Sequence, residues 1–173
     1  DMVLDSLPDG FRRDGDAVIR PDGARVAMDR CDPLGSAGHL VQEDLCLLLK
    51  EGEEHVLRGA VLCFPASWSL AEKAGRGLFA IHGPVDSYDG MMARRVQRLF
   101  DGVRVGRPLW RFNVLRYADA ALFQPRTEAH RRNHDGCEAR RFVRSERQCI
   151  LRLPRTDAVV FSIHTFVMKA RSD

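Results

Sequence analysis

The feature that most restricts how this chain can fold is a pair of apolar runs, "DLCLLLK" at 44–50 and "HVLRGAVLCF" at 55–64, joined by four residues at 51–54. Each run has the length of a strand, so a long strand over 44–50, a turn at 51–54 and a second strand over about 55–64 are expected. Neither run alternates polar with apolar. Strands of that kind belong to a sheet covered on both faces or facing a ligand. Pro65 then stops the second strand, because it has no N–H to give to a ladder.

The flanking sequence supplies the other elements. "AVIRPDGARVAMD" is two short runs around Pro21-Asp22-Gly23, a good turn tripeptide, and predicts a hairpin over 17–29. "DPLGSAGHLVQ" reads as a short helix or turn. Ser69-Leu70-Ala71-Glu72 has the capping-box pattern and predicts a short helix ending at Gly75 or Gly77. From Ser87 the helical period returns with Tyr88, Met92, Val96 and Leu99 or Phe100, placing Arg94, Arg95 and Arg98 outside and ending at Gly102. "PLWRFNVLRY" alternates, with Trp110, Phe112 and Val114 on one face and Arg111, Asn113 and Leu115 on the other. Residues 124–143 are polar and arginine-rich, a surface excursion. "RSERQCILRLP" follows, and "AVVFSIHTFVM" closes the chain as a strand over 158–168. This order predicts an α+β fold with helices on one face of an antiparallel sheet.

A chain of 173 residues is one domain's worth and is expected to bury about 70% of its unfolded surface around a single core. No apolar run reaches the roughly 18 residues of a membrane span, and "DMVLDSLPDG" lacks the basic start and apolar middle of a signal peptide. A soluble, cytoplasmic protein without membrane contact is the expectation. Five scattered cysteines with no CxxC fit reduced thiols. Of 27 basic residues only Lys50, Lys73 and Lys169 are lysines, so 24 are arginines, a bias toward bidentate carboxylate or phosphate contacts. The cluster Arg140, Arg141, Arg144, Arg147 and Arg152 is interleaved with Glu138 and Glu146 and has few stacking aromatics, which argues for a solvated, internally paired face rather than nucleic-acid binding.

Two histidine patterns invite chemistry. In "GLFAIHGPV" an apolar run ends on His82 before Gly83-Pro84, which puts an imidazole at the rim of a pocket. Such a ring serves either as a satisfied core histidine, the commoner case, or as an axial ligand to haem iron. "HRRNHDGC" sets His130, His134 and Cys137 at helical spacing, but only three ligands in an arginine-rich stretch make a solvated loop the plainer reading. Glu43, Asp44, Arg144, Glu146 and Arg147 lie beside apolar strand residues, where charges must pair among themselves or serve a pocket. No P-loop, GxGxxG, HExxH or GxSxG occurs, which counts against the usual nucleotide, zincin and serine-hydrolase mechanisms.

Taken in order, "LVQEDLCLL", "AVLCFPASWSLAEKAGRGLFAIHGPV", "RPLWRFN" and "RSERQCILRLPRTDAVVFSIHTF" resemble the haem-dependent oxidative N-demethylase alpha-subunit-like family, whose type member oxidises dimethylamine. The resemblance runs from Phe11 to Phe166 and rests on VQEDLCL, CFPxxW, EKxG, IHxPV and RxERQ in combination. It implies a single PAS-like domain over 1–173 that encloses haem b. The implied activity is oxygen-dependent oxidation of an amine or related nitrogen-bearing small molecule, with electrons from a separate flavin and iron–sulfur reductase. Carried over by position, His82 becomes the axial iron ligand. Arg111, Asn113, Arg144, Glu146 and Arg147 match family motifs and are implied for propionate anchoring or the polar part of the distal pocket, with Asn113 and Glu146 as the catalytic pair. Val114 stands where the family commonly has Trp, Asp86-Ser87-Tyr88 where it has Pro-Gly-Tyr, and His164 where it has a basic non-histidine residue. The first departure implies a wider substrate space, and His164 enters as a second haem-facing group. Members usually carry a further N-terminal region, so a fragment or trimmed form is expected. Rival expectations are a non-catalytic haem sensor of PAS-like fold and a cofactor-free binding module.

Overall fold

The computed structural model describes residues 2–83, 89–130 and 141–170. The chain divides into two compact units at the junction of Gln42 and Glu43. In the first, α1 (Met2–Asp5) precedes β1 (Arg12–Asp14), β2 (Ala17–Ile19) and β3 (Arg25–Ala27), which form an antiparallel sheet in that order. The predicted hairpin is β2 and β3, its turn closed by Gly23 N–H donating to the Arg20 carbonyl at 2.9 Å, with Gly23 at a φ of +84° that favours glycine. β1 escaped sequence reading because "RRD" carries no apolar residue. α2 (Pro33–Gly38) begins where Asp32 accepts the Gly35 N–H at 2.9 Å and Pro33 fills the first turn.

The second unit is built on a five-stranded antiparallel sheet: β4 (Asp44–Glu51), β5 (Glu54–Val61), β6 (Leu109–Tyr117), β7 (Phe142–Arg152) and β8 (Val159–Lys169), in the spatial order β5-β4-β8-β7-β6. The hairpin of β4 and β5 forms as expected and lies at one edge of the sheet, while β6, β7 and β8 form a meander. The mixed α+β class read from the sequence is the observed one. Between β5 and β6 run α3 (Leu70–Lys73), α4 (Leu78–His82) and α5 (Gly90–Gly102). Cys46, Leu48, Leu57 and Val159 from the sheet bury against Leu78 of α4, Phe100 of α5 and Val103, with Trp68, Ile81, Val96 and Phe161 packed around them. The period-2 rule and the cross-strand register make this the helix-covered, inner face. Phe100, not Leu99, is the core residue of α5, and Met92 is exposed.

The capping box at Ser69 is not made. Ser69 forms no side-chain cap, and Glu72 instead turns both carboxylate oxygens to the Glu128 N–H at 3.1 Å, tying α3 to the 3-10 turn Glu128–His130. A distant backbone donor has won over the local one.

The basic cluster is only in part the solvated, internally paired face expected: Arg141 and Arg147 are exposed and Arg144 pairs with Glu146, Arg140 lies outside the described residues, and two members turn inward. Arg144 is 1% exposed, and Arg152 donates inward to the carbonyls of Val103 at 2.7 Å and Phe100 at 2.8 Å. His55 is buried too. Its backbone N–H donates to Gln97 Oε1, and Gln97 Nε2 reaches its Nδ1 at 2.7 Å, which fastens α5 to β5.

No helix among the described residues is long and apolar enough to cross a membrane. Cys46 and three other described cysteines carry free thiols, and burial pushes the Cys46 thiol up to about 12, leaving it inert.

Candidate functional site

A five-residue helix has little stability of its own, so α4 stands because it is held at both ends. At its start the Phe79 N–H donates to Glu54 Oε1 at 2.9 Å, and a Cβ at Gly77 would lie 2.2 Å from Glu54 Oε2, so a larger residue there would have to push this carboxylate aside. At its end the buried Lys73 donates to the Ile81 carbonyl at 2.7 Å and to Glu128 Oε1 at 2.7 Å, a cation placed where the helix leaves its carbonyls open. This clamp positions His82, the last residue of α4.

The ring of His82 is half-buried, with Nδ1 2.9 Å from the Leu78 carbonyl. A carbonyl only accepts, so Nδ1 carries the proton and the lone pair sits on Nε2. Burial holds the ring below its ordinary pKa against the pull of the Leu78 bond, and the charges of Lys73 and Arg111 push the same way. His82 is therefore a neutral imidazole at neutral pH with a basic Nε2, the form that binds metals.

Facing it, the inner side of β6 and β7 carries a polar network in an otherwise apolar sheet. Arg144 donates through Nε to Glu146 Oε1 at 3.1 Å, and through its other nitrogens to the carbonyls of Leu122 at 3.0 Å and Phe64 at 2.6 Å and to Thr165 Oγ1. Its guanidinium carbon also lies 5.8 Å from the Tyr117 ring centroid. Glu146 Oε2 accepts from Asn113 Nδ2 at 3.0 Å and Gln148 Nε2 at 3.3 Å, and Gln148 Oε1 accepts from Arg111 Nε at 2.9 Å. The chain of contacts thus runs from Arg144 through Glu146 and Gln148 to Arg111, whose charge reaches His82.

Two buried oxygens in the same region have no hydrogen-bond partner among the described residues: Asn113 Oδ1 and Asp44 Oδ2. Asp44 Oδ1 accepts the N–H groups of Cys63 at 2.6 Å and Phe64 at 2.8 Å, yet desolvation outweighs them and raises its pKa. The inner side of β6 is also the thinly covered part of the sheet, with Leu109 41% and Leu115 44% exposed and Arg111 exposed between them.

The structure therefore gathers His82, Arg111, Asn113, Arg144 and Glu146 on one side of the sheet. Arg147 and His164 do not join them. They pair across β7 and β8 on the opposite face, where Glu43 accepts from Arg147 at 3.0 Å and lies 3.9 Å from His164 Nδ1. One residue of sequence offset from Glu146 is enough to turn Arg147 through the sheet. Val114 shares that outer face and is 62% exposed, so its departure from Trp does not widen the space beside His82. His130 bonds Thr127 at 3.0 Å, while His134, Cys137 and the 86–88 departure lie outside the described residues. No group of three metal-binding side chains occurs among the described residues. Sequence reading missed Lys73, Gln148 and Thr165. Gln148 was findable, since it shares the parity of Arg144 and Glu146.

Residues 3–172 match the family model described as haem-dependent oxidative N-demethylase, alpha subunit-like. The chain belongs to that family.

Proposed function

We propose that this chain forms a PAS-like haem b domain catalysing oxygen-dependent oxidation of an amine or a related nitrogen-bearing small molecule, in which His82 would hold the iron through Nε2. The single observation that carries this is the imidazole itself, neutral and oriented by the Leu78 carbonyl. The strand order supports the fold reading: numbered within the sheet it is 2-1-5-4-3, with the helices inserted between its second and third strands. The residues present also fit a haem. Leu109 and Leu115 offer apolar wall, Arg111 a cation for a propionate, and the two unpartnered oxygens a polar patch.

Bound haem supplies oxygen binding and oxidising power; its tuning falls to the axial ligand, the nearby donors and the dryness of the site. In this reading Lys73 and Glu54 hold α4 so that His82 keeps its place. Arg111, fixed by Gln148, binds carboxylate. Arg144 positions Glu146 and leaves it no freedom to rotate, and Asn113 with Glu146 orients the substrate. Ile81, with the partly exposed Leu109 and Leu115, would line the apolar side of the substrate space. Two electrons per turnover come from a separate flavin and iron–sulfur reductase, and the protein works in the cytoplasm.

Haem-reconstituted protein given a chemical or enzymatic reductant, oxygen and dimethylamine is expected to consume oxygen and release formaldehyde. Haem binding without aldehyde contradicts the catalytic reading and favours a sensor. Protein that takes up no haem contradicts both.

A further inference from the structure

We infer that β6 pairs edge to edge with β6 of a second copy of this chain, continuing the sheet across a two-fold axis. The two edges of the five-stranded sheet are finished differently. β5 is closed by its own chain: the Leu57 N–H donates to the Arg76 carbonyl at 3.0 Å, the Leu57 carbonyl accepts the Gly75 N–H at 2.8 Å, and Val56 bridges to Gly77. β6 pairs with β7 from Leu109 to Tyr117, and among the described residues no second strand lies along its other edge. An edge strand leaves alternate N–H and C=O groups open, and proteins blunt such an edge with a bulge, a proline or lysines. Between Leu109 and Leu115 there is neither proline nor lysine, and the register with β7 runs without a shift. The one charge in that stretch is Arg111, held by Gln148 at 2.9 Å.

The side chains point the same way. Leu109, Trp110, Phe112, Val114 and Leu115 are all exposed, Trp110 by 67%, and they are five of the fourteen exposed large hydrophobic residues among those described. Single apolar residues on a surface mean little, but a contiguous set on one open strand marks a contact. A strand against its own copy needs a sequence complementary to itself, and this one is. A two-fold axis at Phe112 sets Phe112 against its copy, Trp110 against Val114, Leu109 against Leu115 and Arg111 against Asn113. Every apolar side chain then meets an apolar one on both faces of the sheet, and no like charges stand opposite. Moving the axis to Arg111 would bring two guanidinium groups together, and moving it to Asn113 would set Arg111 against Leu115. With about 150–250 Å² for a large aromatic side chain and less for an aliphatic one, the exposed fractions offer roughly 500 Å² of apolar surface per copy. Two copies together reach the roughly 1,000 Å² that a stable interface needs, and the added main-chain ladder supplies direction.

Sedimentation velocity of the native protein, from micromolar to hundred-micromolar chain concentration, tests this. A dimer is expected. Phe112→Lys puts two ammonium groups face to face at the axis and is expected to raise the dissociation constant at least about 100-fold, with thermal melts checking that the chain stays folded. Phe112→Cys brings two thiols within disulfide reach and is expected to give a covalent dimer on mild oxidation, beyond any link formed by the native cysteines. A native protein that stays monomeric at every concentration overturns the inference, and so does a folded Phe112→Lys protein that dimerises as tightly as native. If Phe112→Lys does not fold, the cysteine variant decides: a native dimer with no added link at position 112 has its contact elsewhere, and the inference fails.

Discussion

The two halves of the inner sheet face are built on opposite physics. Under the helices, β5, β4 and the first half of β8 present Cys46, Leu48, Leu57 and Val159 to an apolar cluster. Toward β6 and β7 the same face carries Arg144, Glu146, Gln148, Asn113 and Arg111, joined by hydrogen bonds, with Arg144 and Glu146 buried and only the β6 end thinly covered. The first half needs only volume and dryness, so it stabilises. The second needs every donor and acceptor in place, and it spends stability on an arrangement that leaves Asn113 Oδ1 unmatched among the described residues. A sheet that only had to fold could extend the first pattern across all five strands, and this one does not.

Removing Arg144 should break the polar half most severely. Arg144→Ala strands the Glu146 carboxylate and the carbonyls of Leu122 and Phe64, and is expected to cost about 3–5 kcal/mol in urea denaturation. A loss under 1 kcal/mol would mean the network is solvated. In the apolar half, Leu57→Ala is expected to cost about 3 kcal/mol through lost burial and a cavity, with little effect on ligand binding.

The sequence carried the strands at 44–64, 109–117 and 158–168 clearly, because apolar runs and alternation are local signals. It also carried the faces of β6: the split between Trp110-Phe112-Val114 and Arg111-Asn113-Leu115 is the one observed. What stayed hidden were facts of partnership at long range. Lys73 finds Ile81 and Glu128, Glu72 finds Glu128, and Arg152 finds the end of α5, and no spacing announces such meetings. Arg147 and His164 are different. The period-2 rule applied to β6, had it been carried to β7 and β8, puts both behind the sheet.

Acid should weaken the fold through the buried rings. Burial lowers the pKa of His55 below its ordinary 6.5, so on acidification the unfolded chain takes up a proton that the folded one refuses. Stability is therefore fully present above about pH 6.5 and falls as the pH drops below it; His82 contributes with the same sign. His55→Gln should flatten this part of the profile in thermal melts from pH 7.5 to 5, and an unchanged slope would show that His55 is protonated in the fold.

The smallest expected effect belongs to Asp44. Its pKa is raised from 3.8 by desolvation, so its cost to the fold appears as pH rises through that value and is complete once the folded carboxyl ionises. Asp44→Asn keeps an oxygen for the N–H groups of Cys63 and Phe64 while removing the charge. A melting temperature slightly above native at pH 7, converging near pH 4, is expected. A lower one at pH 7 would mean the charge is worth more to Arg144 than it costs.

The central claim concerns one nitrogen, and optical absorption of haem-titrated protein tests it most directly. Native protein should give a Soret band at one haem per chain, His82→Ala should lose or shift it and recover it with added imidazole, and His164→Ala, altered on the far face, should match native. A His82→Ala spectrum identical to native, or a band that depends on His164 instead, would contradict the account.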